Sequence, residues 1–123
     1  MSDCIVWLWT TNAFVRQAYE CLGAWGFHDK NVLTWVKDRM GLGNWLRCQT
    51  EHCILAVRGA PVVTLTNQTT VLVAPSREHS RKPTNFYDLV EALCPGSKLE
   101  MFAREPREGW QSWAAARHSF EAA

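Results

Sequence analysis

An excess of charge of either sign is almost missing from this chain of 123 residues: 13 Lys and Arg stand against 12 Asp and Glu, a formal net charge of +1. Bulk electrostatics therefore does not force a nucleic-acid partner, and any such contact has to come from local clustering. An apolar run of membrane-spanning length is also missing, and no basic-then-apolar segment opens the chain. The expectation is a cytoplasmic protein with no membrane partner. Cysteine is scattered as Cys4, Cys21, Cys48, Cys53 and Cys94, and the odd count argues against a disulfide framework. Cys48, His52 and Cys53 lack a second ligand pair at zinc-type spacing, so no metal is expected and buried free thiols are the plain reading. Gly-x-Gly-x-x-Gly, a phosphate-binding glycine loop and a Ser-His-Asp pattern are all absent, which leaves those chemistries without support. Without repeats, low-complexity segments or linkers, residues 1–123 read as one domain, and the 47% apolar content is enough for a core.

What the chain does hold is an alternation of strand-like and helix-like segments. Cys4 to Trp9 is a continuous apolar run with β-branched and aromatic residues, the pattern of a buried strand. Thr10-Thr11-Asn12 offers helix caps. Val15, Ala18, Tyr19, Leu22 and Trp25 then recur at helical spacing, and the helix ends near Gly23 or Gly26. Strands follow at Asn31–Val36, His52–Val57 and Thr70–Val73. A helix capped by Thr84 and carrying Phe86, Leu89, Val90 and Leu93 runs to Leu93, before a last strand at Leu99–Phe102. The tail from Glu105 reads as irregular. Strand–helix–strand rhythm predicts an α/β fold with a largely parallel sheet. The glycine-containing stretch 38–50 breaks that rhythm and reads as a hairpin. Of the seven tryptophans, Trp7, Trp9 and Trp35 fall in strands as core residues, whereas Trp45, Trp110 and Trp113 fall in loops, as surface plugs or stacking platforms.

Two clusters of polar side chains are candidate sites. The loop Arg77-Glu78-His79-Ser80-Arg81-Lys82-Pro83 and the strand end Lys98-Leu99-Glu100-Met101-Phe102-Ala103-Arg104 can meet where ligands of open α/β sheets bind, outside the carboxyl ends of the strands. Glu100 can accept from a ribose or an amine. Arg77, Arg81, Lys82 and Arg104 can hold a carboxylate or phosphate. Together they suit a small zwitterionic nucleoside; the plain alternative is a solvated rim of weak ion pairs. The second cluster is Lys37, Arg39 and Arg47 around Trp45, a basic aromatic loop suited to phosphate and base stacking or, more plainly, a solvated hairpin. Glu51 and His52 are adjacent in a strand, so they point to opposite faces and do not form an acid–base pair.

The ordered set Leu8-Trp9-Thr10-Thr11-Asn12, Trp35-Val36-Lys37, the glycine-rich loop to Arg47, Glu51-His52-Cys53 to Arg58-Gly59, His79-Ser80-Arg81-Lys82-Pro83 and Leu99-Glu100-Met101-Phe102-Ala103-Arg104 resembles the MT-A family of adenine-N6 methyltransferases, in wording closer to its bacterial and phage members. The resemblance covers about residues 4 to 113. It implies a Rossmann-like methyltransferase fold, circularly permuted so that the catalytic motif precedes the cofactor-binding strand. It implies S-adenosylmethionine as cofactor, with Lys82, Glu100, Phe102, Arg104 and, less securely, Arg77 beside it. It also implies that the loop with Lys37, Arg39, Trp45 and Arg47 shapes a substrate face or a partner interface. The expected substrate is adenine in nucleic acid, DNA ahead of RNA.

Two departures from the family pattern carry expectations of their own. The Asp-Pro-Pro-Trp motif that positions the target amine is absent from the 123 residues, along with a central strand it would supply. The chain is therefore expected to be incomplete at its N-terminus or completed by a second chain, and inactive alone; the alternative is a degenerate homologue acting as a binding or scaffold subunit. Ala114-Ala115-Ala116 stands where the family continues with Gly-Asn and an acidic or amide residue on the cofactor ribose, so weakened cofactor binding is expected.

Overall fold

A computed structural model describes residues 3–43, 45–64, 67–76 and 82–94, together with the backbone of 98–101 and 110–113. Strand β1 (Cys4–Thr10) is buried at every position from Ile5 onward. Its side chains alternate between two apolar layers, as a pleated strand requires. Ile5, Trp7 and Trp9 join Leu33, Trp35, Cys53 and Leu72 on one face of the sheet, where Phe86, Tyr87 and Val90 of helix α2 (Thr84–Leu93) cover them. Val6 and Leu8 join Ile54, Ala56 and Phe27 on the other face, under Ala18 and Leu22 of helix α1 (Val15–Ala24). The result is a sheet between two helices, with β1 in its middle.

Six strands pair in the order β4-β2-β3-β1-β5-β6. They are β1, β2 (His28–Val36), β3 (Thr50–Arg58), β4 (Val71–Val73), β5 (Lys98–Met101) and β6 (Trp110–Trp113). The largely parallel sheet expected from the sequence is in fact mixed. β3 runs antiparallel to both β1 and β2, while β1–β5, β2–β4 and β5–β6 are parallel. The reason is the expected hairpin: residues 37–49 turn the chain back on itself, and β3 then slots between β2 and β1 rather than at an edge.

Local expectations shift at several ends. β2 begins at His28, because the polar His-Asp-Lys stretch is held by its ladder to Val57 and Ala56 of β3. Thr10-Thr11-Asn12 supplies no side-chain cap to α1; Phe14 is the N-cap, entered through a turn in which Phe14 N–H donates to the Thr11 carbonyl at 3.1 Å. Tyr19 and Trp25 stay exposed at the margins of a narrow apolar stripe. Gly26, at φ +82°, ends the helix in the left-handed region that glycine adopts without a Cβ clash. Thr84 is the first residue of α2 rather than its cap, a position taken by Pro83. The tail expected to be irregular contains β6, so Trp110 and Trp113 sit in a strand. Of the five free thiols, Cys53 and Cys94 are buried, Cys4 and Cys48 half-buried and Cys21 exposed. No helix among the described residues is long and apolar enough to cross a membrane.

Candidate cofactor site and basic hairpin

The carboxyl ends of β1, β2 and β4 and the amino end of β3 share one edge of the sheet. On the α2 face of that edge stand Trp9 and Trp35, packed edge to face at 6.2 Å between ring centres. Register places Glu51 opposite Trp35, so its carboxylate rises on the same face. There it binds two lysines. Lys82, which precedes α2, donates to Glu51 Oε2 at 2.5 Å and lies over the Trp9 ring at 5.1 Å. Lys37, just past β2, reaches Glu51 Oε1 at 3.2 Å and lies over Trp35 at 4.8 Å. Lys82 is only 4% exposed. Burying an ammonium is costly, and a carboxylate partner with an aromatic face beneath it offsets the lost hydration.

This arrangement joins two groups that the sequence reading kept apart. Lys82 was expected beside the cofactor and Lys37 in the substrate loop, yet both grip Glu51. Glu51 itself went unassigned: Lys82 is remote from it in sequence, and no local pattern marks the pair. A carboxylate opening an apolar strand, on the face of two tryptophans, is the one signal that could have found it. The adjacent His52 lies on the other face, its Nδ1 3.1 Å from Thr34 Oγ1 and its Nε2 3.4 Å from Thr50 Oγ1. That agrees with the expectation that Glu51 and His52 do not act together.

β5 brings the backbone of Glu100 alongside Trp7, in parallel register with β1. Its carboxyl end therefore points to the same edge as Lys82, which suits the topology expected for a nucleoside cofactor. The side chain of Glu100 and all of Arg77, Phe102 and Arg104 lie outside the described residues, as do Arg81 and Ala114-Ala115-Ala116. The described part of the site fits an anionic or hydroxyl-bearing cofactor group through Lys82, the one predicted cofactor residue whose side chain is described. Among the described residues no group of three or more His, Cys, Asp or Glu could hold a metal ion.

From Glu51 an open cleft of about 1180 Å³ runs along the hairpin past Lys37, Arg39, Trp45 and Arg47 to Thr11 and Asn12. The hairpin is folded rather than loose. Lys37 N–H donates to the Gln49 carbonyl at 3.0 Å, Gly41 N–H to Cys48 at 2.6 Å, and Arg47 Nε to the Gly41 carbonyl at 3.0 Å. Asp38 accepts from the Ser76 N–H at 2.9 Å. That bond is the main effect and holds the Asp38 carboxyl below its ordinary pKa; desolvation opposes it, and its own backbone N–H and Arg39 add smaller lowering effects. At the tip, Trp45 is 98% exposed, with Leu42 and Leu46 nearly as open. Trp45 is thus neither core nor plug.

The MT-A70 family model matches residues 1–116. A probable N(6)-adenosine-methyltransferase MT-A70-like protein of Oryza sativa subsp. japonica is 37% identical over 122 residues, covering 90% of this chain and 17% of the relative. The N(6)-adenosine-methyltransferase catalytic subunit METTL3 of Homo sapiens is 35% identical over 123 residues, covering 90% of this chain and 21% of the relative. The type II methyltransferase M.MunI of Mycoplasma sp is 30% identical over 115 residues, covering 90% of this chain and 49% of the relative. The chain thus spans about a fifth of the rice and human relatives and about half of the Mycoplasma one. The rice and human proteins are the more similar of these, so the bacterial or phage leaning of the sequence reading is not supported. Methyltransferases of the family use S-adenosylmethionine as methyl donor. With its strand-end lysine site, its basic hairpin and a family match over nearly its whole length, the chain belongs to the MT-A70 family.

Proposed function

We propose that these 123 residues form a single domain, the cofactor-binding part of an S-adenosylmethionine-dependent adenine-N6 methyltransferase, with a Rossmann-like sheet whose motifs are circularly permuted. The observation that carries the reading is Lys82: a nearly buried ammonium at the carboxyl ends of the strands, fixed by Glu51 and Trp9. Stability alone rarely favours such a residue over an apolar one of similar size. S-adenosylmethionine, when bound, supplies the electrophilic methyl group. Lys82 would hold a carboxylate or hydroxyl of the cofactor, and Glu51 would orient that ammonium while Lys37 ties the hairpin to the same carboxylate. Glu100, Phe102, Arg104 and Arg77 join them as the family resemblance assigns.

The substrate is adenine in a nucleic acid. The sequence reading favours DNA, whereas the names of the rice and human relatives specify adenosine, so DNA and RNA oligonucleotides belong in one assay. Lys37, Arg39 and Arg47 would contact phosphates, and Trp45 would stack on an unpaired base or seat a second chain that completes the fold. A duplex target would have to leave the stack. The second reading, a non-catalytic binding or scaffold subunit, draws on the absence of Asp-Pro-Pro-Trp from these residues and on the exposed apolar hairpin tip.

Thermal unfolding with S-adenosylmethionine and its demethylated product separates the two. Ligand at about a hundred times its dissociation constant stabilises by roughly 2.7 kcal/mol. The expected result is a rise of several degrees in Tm, erased by Arg104→Ala. A folded chain with no shift at millimolar ligand establishes the scaffold reading instead.

A further inference from the structure

Strand β4 is an outer edge of the sheet and pairs with β2 on one side only. Two bonds fix which backbone groups that pairing uses. Thr34 N–H donates to the Thr70 carbonyl at 2.8 Å, and Ala74 N–H donates to the Val36 carbonyl at 3.2 Å. Backbone groups alternate in direction along a strand. Thr70, Leu72 and Ala74 therefore face β2, and the N–H and C=O groups of Val71 and Val73 face outward. Their contacts on that side are long: Val71 N–H to Thr69 Oγ1 at 3.4 Å, and Asn85 Nδ2 to the Val73 carbonyl at 3.5 Å. The side chains alternate as well. Leu72 is buried in the α2-face cluster, whereas Val71 and Val73 stand on the opposite face, 50% and 70% exposed. Helix α1 covers that face further in, over Val6, Leu8, Ile54 and Ala56.

Free strand edges are ordinarily guarded by charge, proline or a bulge. β4 carries none of these. Its register with β2 is unbroken, and residues 59–76 contain no Asp, Glu, Lys, Arg or His in a chain that is 20% charged.

We infer that β4 is a self-association edge, on which a second copy of this chain adds its own β4 antiparallel about a two-fold axis at Leu72. The outward groups set the register. Val71 of one copy faces Val73 of the other and exchanges both N–H···O=C bonds with it, and the two-fold axis repeats the exchange. Each exposed Val71 then packs beside the second copy's Val73. A slip of one residue would oppose outward groups to inward ones and lose the bonds. Charge selects this occupant. Thr69 and Thr70 come opposite Pro75 and Ala74 of the copy, so the paired strands oppose no charges and leave none desolvated. A charged strand would find no counter-charge along residues 59–76. Asn85 and Asp88 border β4 on the α2 side, so the apolar contact forms on the valine face. β4 has three residues, and pairing them buries less than the roughly 1,200 Å² of a lasting interface. The association is therefore weak and reversible. It depends on neither the methyltransferase reading nor the hairpin.

Sedimentation velocity on the chain, from micromolar to millimolar concentration, is combined with amide exchange followed by NMR over the same range. The expected result is a dimer with a dissociation constant of about 10 µM to 1 mM. The Val71 and Val73 amides should gain protection as concentration rises, while the inward Leu72 amide should not change. Val73→Lys, at an exposed position, should keep its cooperative thermal unfolding and raise the dissociation constant at least about tenfold. Trp45→Ser, at the exposed hairpin tip, should leave the constant unchanged. Exchange in the parent chain decides the matter if Val73→Lys does not fold. A monomer throughout, exchange at Val71 and Val73 that ignores concentration, or a dimer that survives Val73→Lys or is dissolved by Trp45→Ser each overturns the inference.

Discussion

Replacing Glu51 with Gln removes the carboxylate that two lysines share, and Lys82 is the one that suffers. Its side chain is 5% exposed, so losing its counter-charge is expected to destabilise the fold by about 3 kcal/mol. Urea unfolding checks this, and Lys82→Met in the same background should restore much of the loss, since an apolar chain fits over Trp9. Asp38 gives a residue-scale pH effect. Its folded pKa is depressed by the Ser76 N–H, so its contribution is fully present above the unfolded value near about 3.9 and is lost as pH falls through the lower folded value. Urea midpoints measured from roughly pH 6 down to 3 should therefore fall less steeply below about pH 4 in Asp38→Ala than in the parent. The place of Lys82 was legible in the sequence, because it stands just before the apolar pattern that makes α2. Glu51 was not, because its two partners are brought to it by the β2–β3 register and by α2, and neither is a local signal.

The elements differ in how much of themselves they show in sequence. β1 is legible since a strand buried on both faces must be apolar throughout, and Ile5 to Trp9 is. α2 is legible from Phe86, Leu89, Val90 and Leu93, although Tyr87 is buried as well, against Phe86 at 5.0 Å. The start of β2 is hidden, because His28 to Lys30 are exposed polar residues that only the β3 ladder makes a strand. Phe86→Ala should cost about 3–5 kcal/mol, since the ring touches Trp7, Trp9 and Tyr87; the urea midpoint again reports it. The hairpin should respond in function instead. Arg39→Ala with Arg47→Ala should weaken oligonucleotide binding and flatten its salt dependence by roughly one to two released counterions. An unchanged slope would assign the exposed hairpin tip to a second chain.

At the scale of the whole molecule, these 123 residues contain Lys82 at the strand edge, where the cofactor is proposed to bind, but no Asp-Pro-Pro-Trp to position the target amine. A methyl-transfer assay with labelled S-adenosylmethionine on DNA and RNA oligonucleotides should therefore show no turnover by this chain alone. Cofactor-dependent turnover by the pure protein would refute that expectation. The fold class was legible from the strand and helix rhythm, while the mixed direction of the sheet was not, because the hairpin's effect depends on where β3 docks. That docking also sets an order of events in time. Among the pairings of β1 to β5, β2 with β3 closes the shortest span of chain, from Val36 to Thr50, whereas β1 with β5 joins Ile5 to Lys98. Early contacts are those with the least loop entropy to lose. The hairpin should thus form in the folding transition state and the β1–β5 seam after it. Truncations at Ile54 should slow refolding, whereas those at Leu99 should chiefly speed unfolding.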